Sequence, residues 1–160
     1  MPFTAYIGTL NQFYSEAVDN KIADIIAEAC NKNRIGFAQN EYNSWVRSLT
    51  LVAIQLNDSN LPKNLGIACE LMPGRGRSSI DLAISGYDKD GNPHIVIVEL
   101  KQWSSVDFSE IGDGWVYTNV GGKKFDDKQH PALQALGYKS TLIKYNMFVE
   151  ESNVNINSCA

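Results

Sequence analysis

Two acids stand where a β-strand would ordinarily be apolar. Asp81 interrupts Ser-Ile-Asp-Leu-Ala-Ile at 79–84, and Glu99 interrupts Val-Ile-Val-Glu-Leu at 96–100, with Lys101 two positions further on. An ionised carboxylate inside such a run is costly unless it is paired or binds a cation. Between the two runs lies Asp-Lys-Asp-Gly-Asn at 88–92, a strong turn signal, so the pattern predicts a hairpin. Centred on Asp90, that hairpin sets Asp81 opposite Glu99, each nine residues from the centre. Opposed residues share a face and lie roughly 5 Å apart at Cβ. Lys101 shares the face of Glu99, while Ile80, Leu82 and Ile84 are expected on the face opposite Asp81. Two carboxylates beside an ammonium suit a hard divalent cation, Mg2+ or Mn2+, which takes one or two protein carboxylates and leaves room for a phosphate. The lysine can orient or deprotonate an attacking water and offset charge on the phosphorus centre. The plain alternative is a buried ion pair of Lys101 with Glu99 or Asp81. An Asp…Glu-x-Lys pattern by itself leaves both open.

The remaining elements must position this hairpin. Residues 1–8 are expected to be an arm, since Pro2 and Gly8 disfavour a helix. Thr9 can cap a short helix through Glu16. Apolar residues at 18, 22, 25, 26 and 29 have helical spacing over Ala17 to Lys32. A further helix is expected from Gln39 to Leu56, with Trp45, Leu49, Val52, Ala53 and Leu56 forming one core stripe. Glu28 and Glu41 are exposed helical acids by default, although either could reach a metal from a flanking helix. Leu65 to Leu71 reads as a strand, followed by Met-Pro-Gly-Arg-Gly-Arg, a turn that carries Arg75 and Arg77 and lacks the phosphate-loop pattern. Residues 104–129 are too long for a plain connection, and a small β excursion is expected there. Its Trp115, Tyr117 and Phe125 read first as packing residues, with stacking on bases as the other reading. Pro131 suits the first turn of a helix running to about Lys144, in which Gln134 and Tyr138 share a face. Val154-Asn-Ile-Asn reads as a last strand. The polar–apolar ending at Ala160 suggests a longer parent chain.

At 160 residues the chain is long enough for one domain with a real core. No run of about 18 apolar residues occurs, and Met-Pro-Phe-Thr-Ala lacks the basic start of a secretory signal. Cys30, Cys69 and Cys159 show no Cys-x-x-Cys spacing, and two histidines are too few for a zinc cluster. A reducing, cytoplasmic setting without a disulfide framework is expected. The net charge of −4 argues against tight non-specific binding to nucleic acid. Local charge runs the other way: Arg75 and Arg77 precede Asp81, and Lys123, Lys124 and Lys128 lie between Glu99 and Gln134. These are candidate nucleic-acid contacts, or ordinary solvated loop charge.

The ordered set of Asp81, then Glu99-Leu100-Lys101, resembles the PD-(D/E)xK nuclease superfamily. Glu70, on the preceding apolar run, matches an acid that many members carry. Gln134-Ala-Leu-Gly-Tyr138 resembles the Gln-x-x-x-Tyr helix motif of the RecB-like branch. Glu70-Leu-Met-Pro73, Arg77, Glu99 to Trp103 and His130 to Gln134 look most like the nuclease-like N-terminal region of bacterial Schlafen-group-3-like proteins that carry a helicase-type P-loop domain. The resemblance covers roughly Ala38 to the end. It implies an α/β, restriction-endonuclease-like core: a mixed four-stranded sheet near 65–71, 79–86, 94–102 and 153–159, flanked by helices, with two N-terminal helices. It also implies a Mg2+-dependent nuclease acting on DNA more readily than RNA, with a helicase-type motor as partner. Asp81, Glu99 and the Leu100 carbonyl would be the metal ligands. Lys101 would position water, Glu70 would assist or bind a second ion, and Gln134 and Tyr138 would position the strand. A non-cleaving nucleic-acid-binding module and a structural domain with an Asp/Glu/Lys ion-pair cluster are the alternatives.

Overall fold

The structure is a computed structural model that describes residues 3–74, 78–120 and 125–160. Its centre is a five-stranded mixed sheet. Strand β1 is Phe3–Thr9, β2 Gly66–Met72, β3 Ile80–Tyr87, β4 Pro93–Val98 and β8 Asn155–Cys159, arranged β1-β2-β3-β4-β8. The first four strands pair antiparallel, and β8 joins β4 in parallel. A separate antiparallel sheet contains β5 (Trp103–Phe108), β6 (Trp115–Val120) and β7 (Asp126–Gln129). The four central strands expected from sequence are present, and β1 is the addition. The N-terminal arm is a strand because Phe3, Thr4, Tyr6 and Ile7 are strand formers that pair along β2, with Ala5 and Tyr6 buried.

Helices cover both faces of the central sheet. On one side are α1 (Leu10–Val18), α2 (Ile22–Lys32) and a continuous helical stretch. That stretch consists of α3 (Gln39–Ser44), a π turn (Trp45–Leu49) and α4 (Thr50–Asp58). Their apolar stripes, including Phe13, Ile26, Trp45, Leu49 and Ala53, pack on Tyr6, Ile67, Cys69 and Leu82. On the other side, α5 (Pro131–Tyr145) and α6 (Met147–Glu151) bring Ala135, Tyr138, Leu142 and Val149 against Ile80, Ala83, Ile97 and Ile156. Local chemistry sets the helix starts. Thr9 and Gln12 form a capping box on α1, with Gln12 N donating to Thr9 Oγ1 and Thr9 N to Gln12 Oε1. Pro131 occupies the first turn of α5, where His130 Nδ1 accepts from Ala132 N. Among the described residues no helix is long and apolar enough to cross a membrane.

The β3–β4 hairpin has the expected register: Leu82 faces Val98, Ala83 faces Ile97, and Tyr87 faces Pro93. Gly91, at φ 82°, takes the left-handed turn position that a side chain would resist. Asp88 accepts hydrogen bonds from the Asn92 side chain and from the Asn92 and Asp90 amides. With His94 beside it, these hold its carboxyl down to about 2. Two expectations fail. Strand β4 ends at Val98 instead of continuing to residue 102, so Glu99, Leu100 and Lys101 lie just beyond it. Regular alternation also breaks at Asp81. Cys69 and Leu82 pack on the first helical layer, whereas Leu71 and Ile80 pack on the second. The cause lies in β2, where Glu70 adopts φ 51°, a left-handed conformation inside a strand, and shifts the facing of its neighbours.

Candidate active site

The broken alternation turns Asp81 toward the first helical layer. There it lines a cleft of about 140 Å3 with Glu70, Ser79 and Leu100 from the sheet side and Glu41, Ser44, Trp45, Ser48 and Leu49 from the helix. Trp45, Ser48 and Leu49 belong to the π turn, an uncommon helical conformation that recurs at functional sites. Asp81 Oδ2 accepts from the Leu100 amide at 2.7 Å, so the aspartate fixes the chain where it leaves β4. Burial, helped by the charge of Glu99, pushes its carboxyl up to about 6 against the pull of that hydrogen bond and of Lys101.

Glu99 is deeper, only 2% exposed. Its Oε1 accepts from Lys101 Nζ. Its Oε2 is buried and has no hydrogen-bond partner among the described residues. Burial raises its carboxyl too, opposed by Lys101. Lys101 keeps a partly open side chain at the rim. The three principal residues expected from sequence are therefore brought to one end of the hairpin.

Glu70 sits beside them with both oxygens engaged. Trp45 Nε1 donates to Oε1 at 2.7 Å and Ser79 Oγ donates to Oε2 at 2.5 Å. Burial raises its carboxyl, and the Asp81 charge adds to that. Gln134 and Tyr138 reach the area from the opposite helical layer. Gln134 Nε2 donates to Tyr138 Oη at 3.1 Å, and both line a separate open hollow with Ser78 and Thr141. Tyr138 is buried, and the charges of Glu99 and Asp81 add to the burial that raises its hydroxyl. Glu41 lines the Asp81 cleft, whereas Glu28 is exposed. Arg75, Arg77, Lys123 and Lys124 lie outside the described residues.

Two residues of the site escaped the sequence reading. Trp45 counted as core stripe, yet its indole nitrogen holds Glu70. Ser79 counted only as a strand start, yet it holds the other oxygen. The expectation that Trp115, Tyr117 and Phe125 pack onto the domain is also corrected. Their exposures are 43%, 40% and 38%, and Tyr117 and Phe125 stack on each other with centroids 5.3 Å apart. Trp115 and Tyr117 lie on β6 of the separate antiparallel sheet and Phe125 just before β7, all three exposed.

Among the described residues no three His, Cys, Asp or Glu side chains gather into a metal cage. Mg2+ does not need one, because one or two carboxylates plus waters suffice. The donor set of Asp81 and Glu99 fits such an ion. The unpartnered Glu99 Oε2 is a buried acceptor that a cation would satisfy, and a cation would also offset the Glu99 charge that adds to burial in raising Asp81.

The chain matches no protein-family model, no curated protein and no solved structure.

Proposed function

We propose that this chain is a divalent-metal-dependent nuclease domain with a restriction-endonuclease-like core, hydrolysing phosphodiester bonds with DNA as the favoured substrate. The observation that carries this reading is the buried, unpartnered Glu99 Oε2, on a carboxylate whose other oxygen contacts Lys101 and whose chain neighbour Leu100 donates to Asp81. A stable fold has little reason to keep an acceptor in that state unless something else binds it.

Asp81 and Glu99 would hold Mg2+ or Mn2+, with the Leu100 carbonyl as a further ligand. When bound, such an ion polarises the phosphoryl group and neutralises developing charge. Asp81 is kept in place by the Leu100 amide, so its free oxygen has a defined direction. Lys101 orients the attacking water and compensates charge as the phosphorus centre becomes more anionic. Glu70, held by Trp45 and Ser79, forms the acidic wall of the cleft and supports Asp81 through the shape of that wall. Tyr138 and Gln134, which line the open hollow on the second layer, would position the substrate strand from there. A helicase-type motor would supply strands to such a domain.

One observation favours a second reading. Lys101 and Glu99 are in direct contact, as in a structural ion pair. The deciding experiment incubates the protein with single- and double-stranded DNA and RNA, in Mg2+ or Mn2+ and in EDTA. Metal-dependent cleavage that Asp81→Asn abolishes supports the nuclease. Metal-independent binding without cleavage points to a binding module, and neither binding nor cleavage leaves the ion pair as structural.

A further inference from the structure

Behind Glu70 lies a second, larger cavity of about 430 Å3, within the range of roughly 300–1,000 Å3 common for small-molecule sites. Its walls include Phe3, Phe37 and Trp45, with Arg34, Glu41 and Glu70 as polar groups. Phe37 and Trp45 meet at 5.1 Å between centroids, tilted by 51°, which makes an aromatic corner. The cavity shares Glu41, Trp45, Glu70 and Ser79 with the cleft that reaches Asp81, so the Glu70 carboxylate stands between the two spaces. Arg34 is exposed at the edge, in a left-handed conformation at φ 57°. Among the described residues its guanidinium has neither a hydrogen-bond nor an ion-pair partner.

We infer that this cavity receives one unpaired nucleobase of the substrate strand, with Arg34 pairing to the phosphate of the same nucleotide. Three features carry the inference. The half-buried Phe37 ring, backed by the buried Trp45, offers a π surface on which any base stacks. An unpaired guanidinium at the edge offers a fork suited to phosphate. The shared wall with the Asp81 cleft puts the hollow next to the space in which the bond would be cut. One Glu41 oxygen accepts from Ala38 N at 2.6 Å, which leaves its other oxygen for a base N–H. A duplex cannot present a base to such a hollow without unpairing it, so the inference assigns single-stranded or frayed substrate. It rests on the reading of Asp81 and Glu99 as a phosphodiester site.

The test is calorimetric titration of the full chain with dAMP and with 2-deoxyribose 5-phosphate, in EDTA, so that cleavage plays no part. Saturable binding of dAMP is expected, with the base-free sugar phosphate binding far more weakly. Arg34→Ala should weaken dAMP on the order of tenfold, the scale of one charge-assisted pairing. Phe37→Leu, which conserves much of the volume, should weaken it as well, and Lys144→Ala, on exposed α5 surface, should not. Absent dAMP binding, equal binding of the sugar phosphate, or full affinity in Arg34→Ala would overturn the inference, and thermal melts of each variant check that it is folded. Cleavage without dAMP binding rejects the cavity alone, whereas dAMP binding without cleavage rejects the nuclease alone.

Discussion

The Leu100 amide donates to Asp81 Oδ2 at 2.7 Å, across the open end of the β3–β4 hairpin. One carboxylate oxygen thus replaces the next bond of a ladder that stops at the Leu82–Val98 pair. The strand ends there because an acid, instead of a carbonyl, takes the amide. The same bond ties the direction of Asp81 to the position of Glu99 and Lys101, which flank Leu100 in the chain.

Cation binding should therefore depend on Asp81. Anything that binds only the folded state stabilises it by mass action, by about 2.7 kcal/mol at a hundredfold excess over the dissociation constant. Mg2+ or Mn2+ should raise the melting temperature of the wild type. Asp81→Asn retains an oxygen that can accept from Leu100, so the fold should persist while the metal response disappears. An unaltered response in the variant would put the ion elsewhere.

The acids also predict an unusual pH profile in metal-free buffer. Asp81 is raised from an ordinary 3.8 to about 6, and Glu70 and Glu99 are raised in the same direction. Between those two values the folded protein holds more protons than the unfolded chain, so stability falls as pH rises through the window. For Asp81 alone the loss is at most roughly 3 kcal/mol, from about 1.4 kcal/mol per unit. Denaturation in EDTA at pH 4.5 and pH 7.5 should show it, and Asp81→Asn should flatten it. Stability that climbs over this interval in EDTA would contradict the picture of acids raised by burial.

Trp45 makes a separate prediction. Replacing it with Phe keeps an aromatic ring in the π turn but removes the Nε1–H that Glu70 Oε1 accepts. A half-buried carboxylate oxygen left without its donor costs about 1–3 kcal/mol. Urea denaturation of Trp45→Phe should show a loss of that size. No measurable loss would mean that solvent readily replaces the indole and that Glu70 is not held by it.

The hairpin register was legible because the turn residues and the two acids are symmetric about Asp90, and only one register puts both apolar sets inside. Helices α1 and α5 were legible from Thr9 and Pro131, whose chemistry sets helix starts. What stayed hidden depends on backbone conformations that residue type does not dictate. Glutamate rarely adopts φ 51°, so nothing about Glu70 announces the switch of face that moves Ile80 away from Leu82. The π turn has an ordinary helical pattern, Trp-Val-Arg-Ser-Leu, so Trp45 reads as core although its indole nitrogen points at an acid. Strand β1 stays hidden because Gly8 disfavours a helix without announcing a strand, and it is pairing along β2 that makes Phe3–Thr9 extended.

Lys101 separates the catalytic from the structural reading. Its ammonium contacts Glu99 Oε1, yet its side chain is 29% exposed, while that of Glu99 is 1% exposed. A pair open on one side is partly screened, so its removal should cost less than the roughly 3–5 kcal/mol of breaking a fully buried pair. In a nuclease the lysine acts chiefly when charge develops at phosphorus. Lys101→Ala should then lower turnover by a factor on the order of 10² or more, the scale of losing one electrostatic or acid–base group. Metal-induced stabilisation should survive and even grow, because Asp81 and Glu99 remain and a competing cation is gone. Thermal melts with and without Mg2+, run beside a cleavage time course, measure both effects on the same samples. A variant that loses many degrees of melting temperature and gains nothing from Mg2+, set beside a wild type that never cleaves, would make Lys101 a strut of the fold. A folded, metal-responsive and slow variant would make it part of the chemistry.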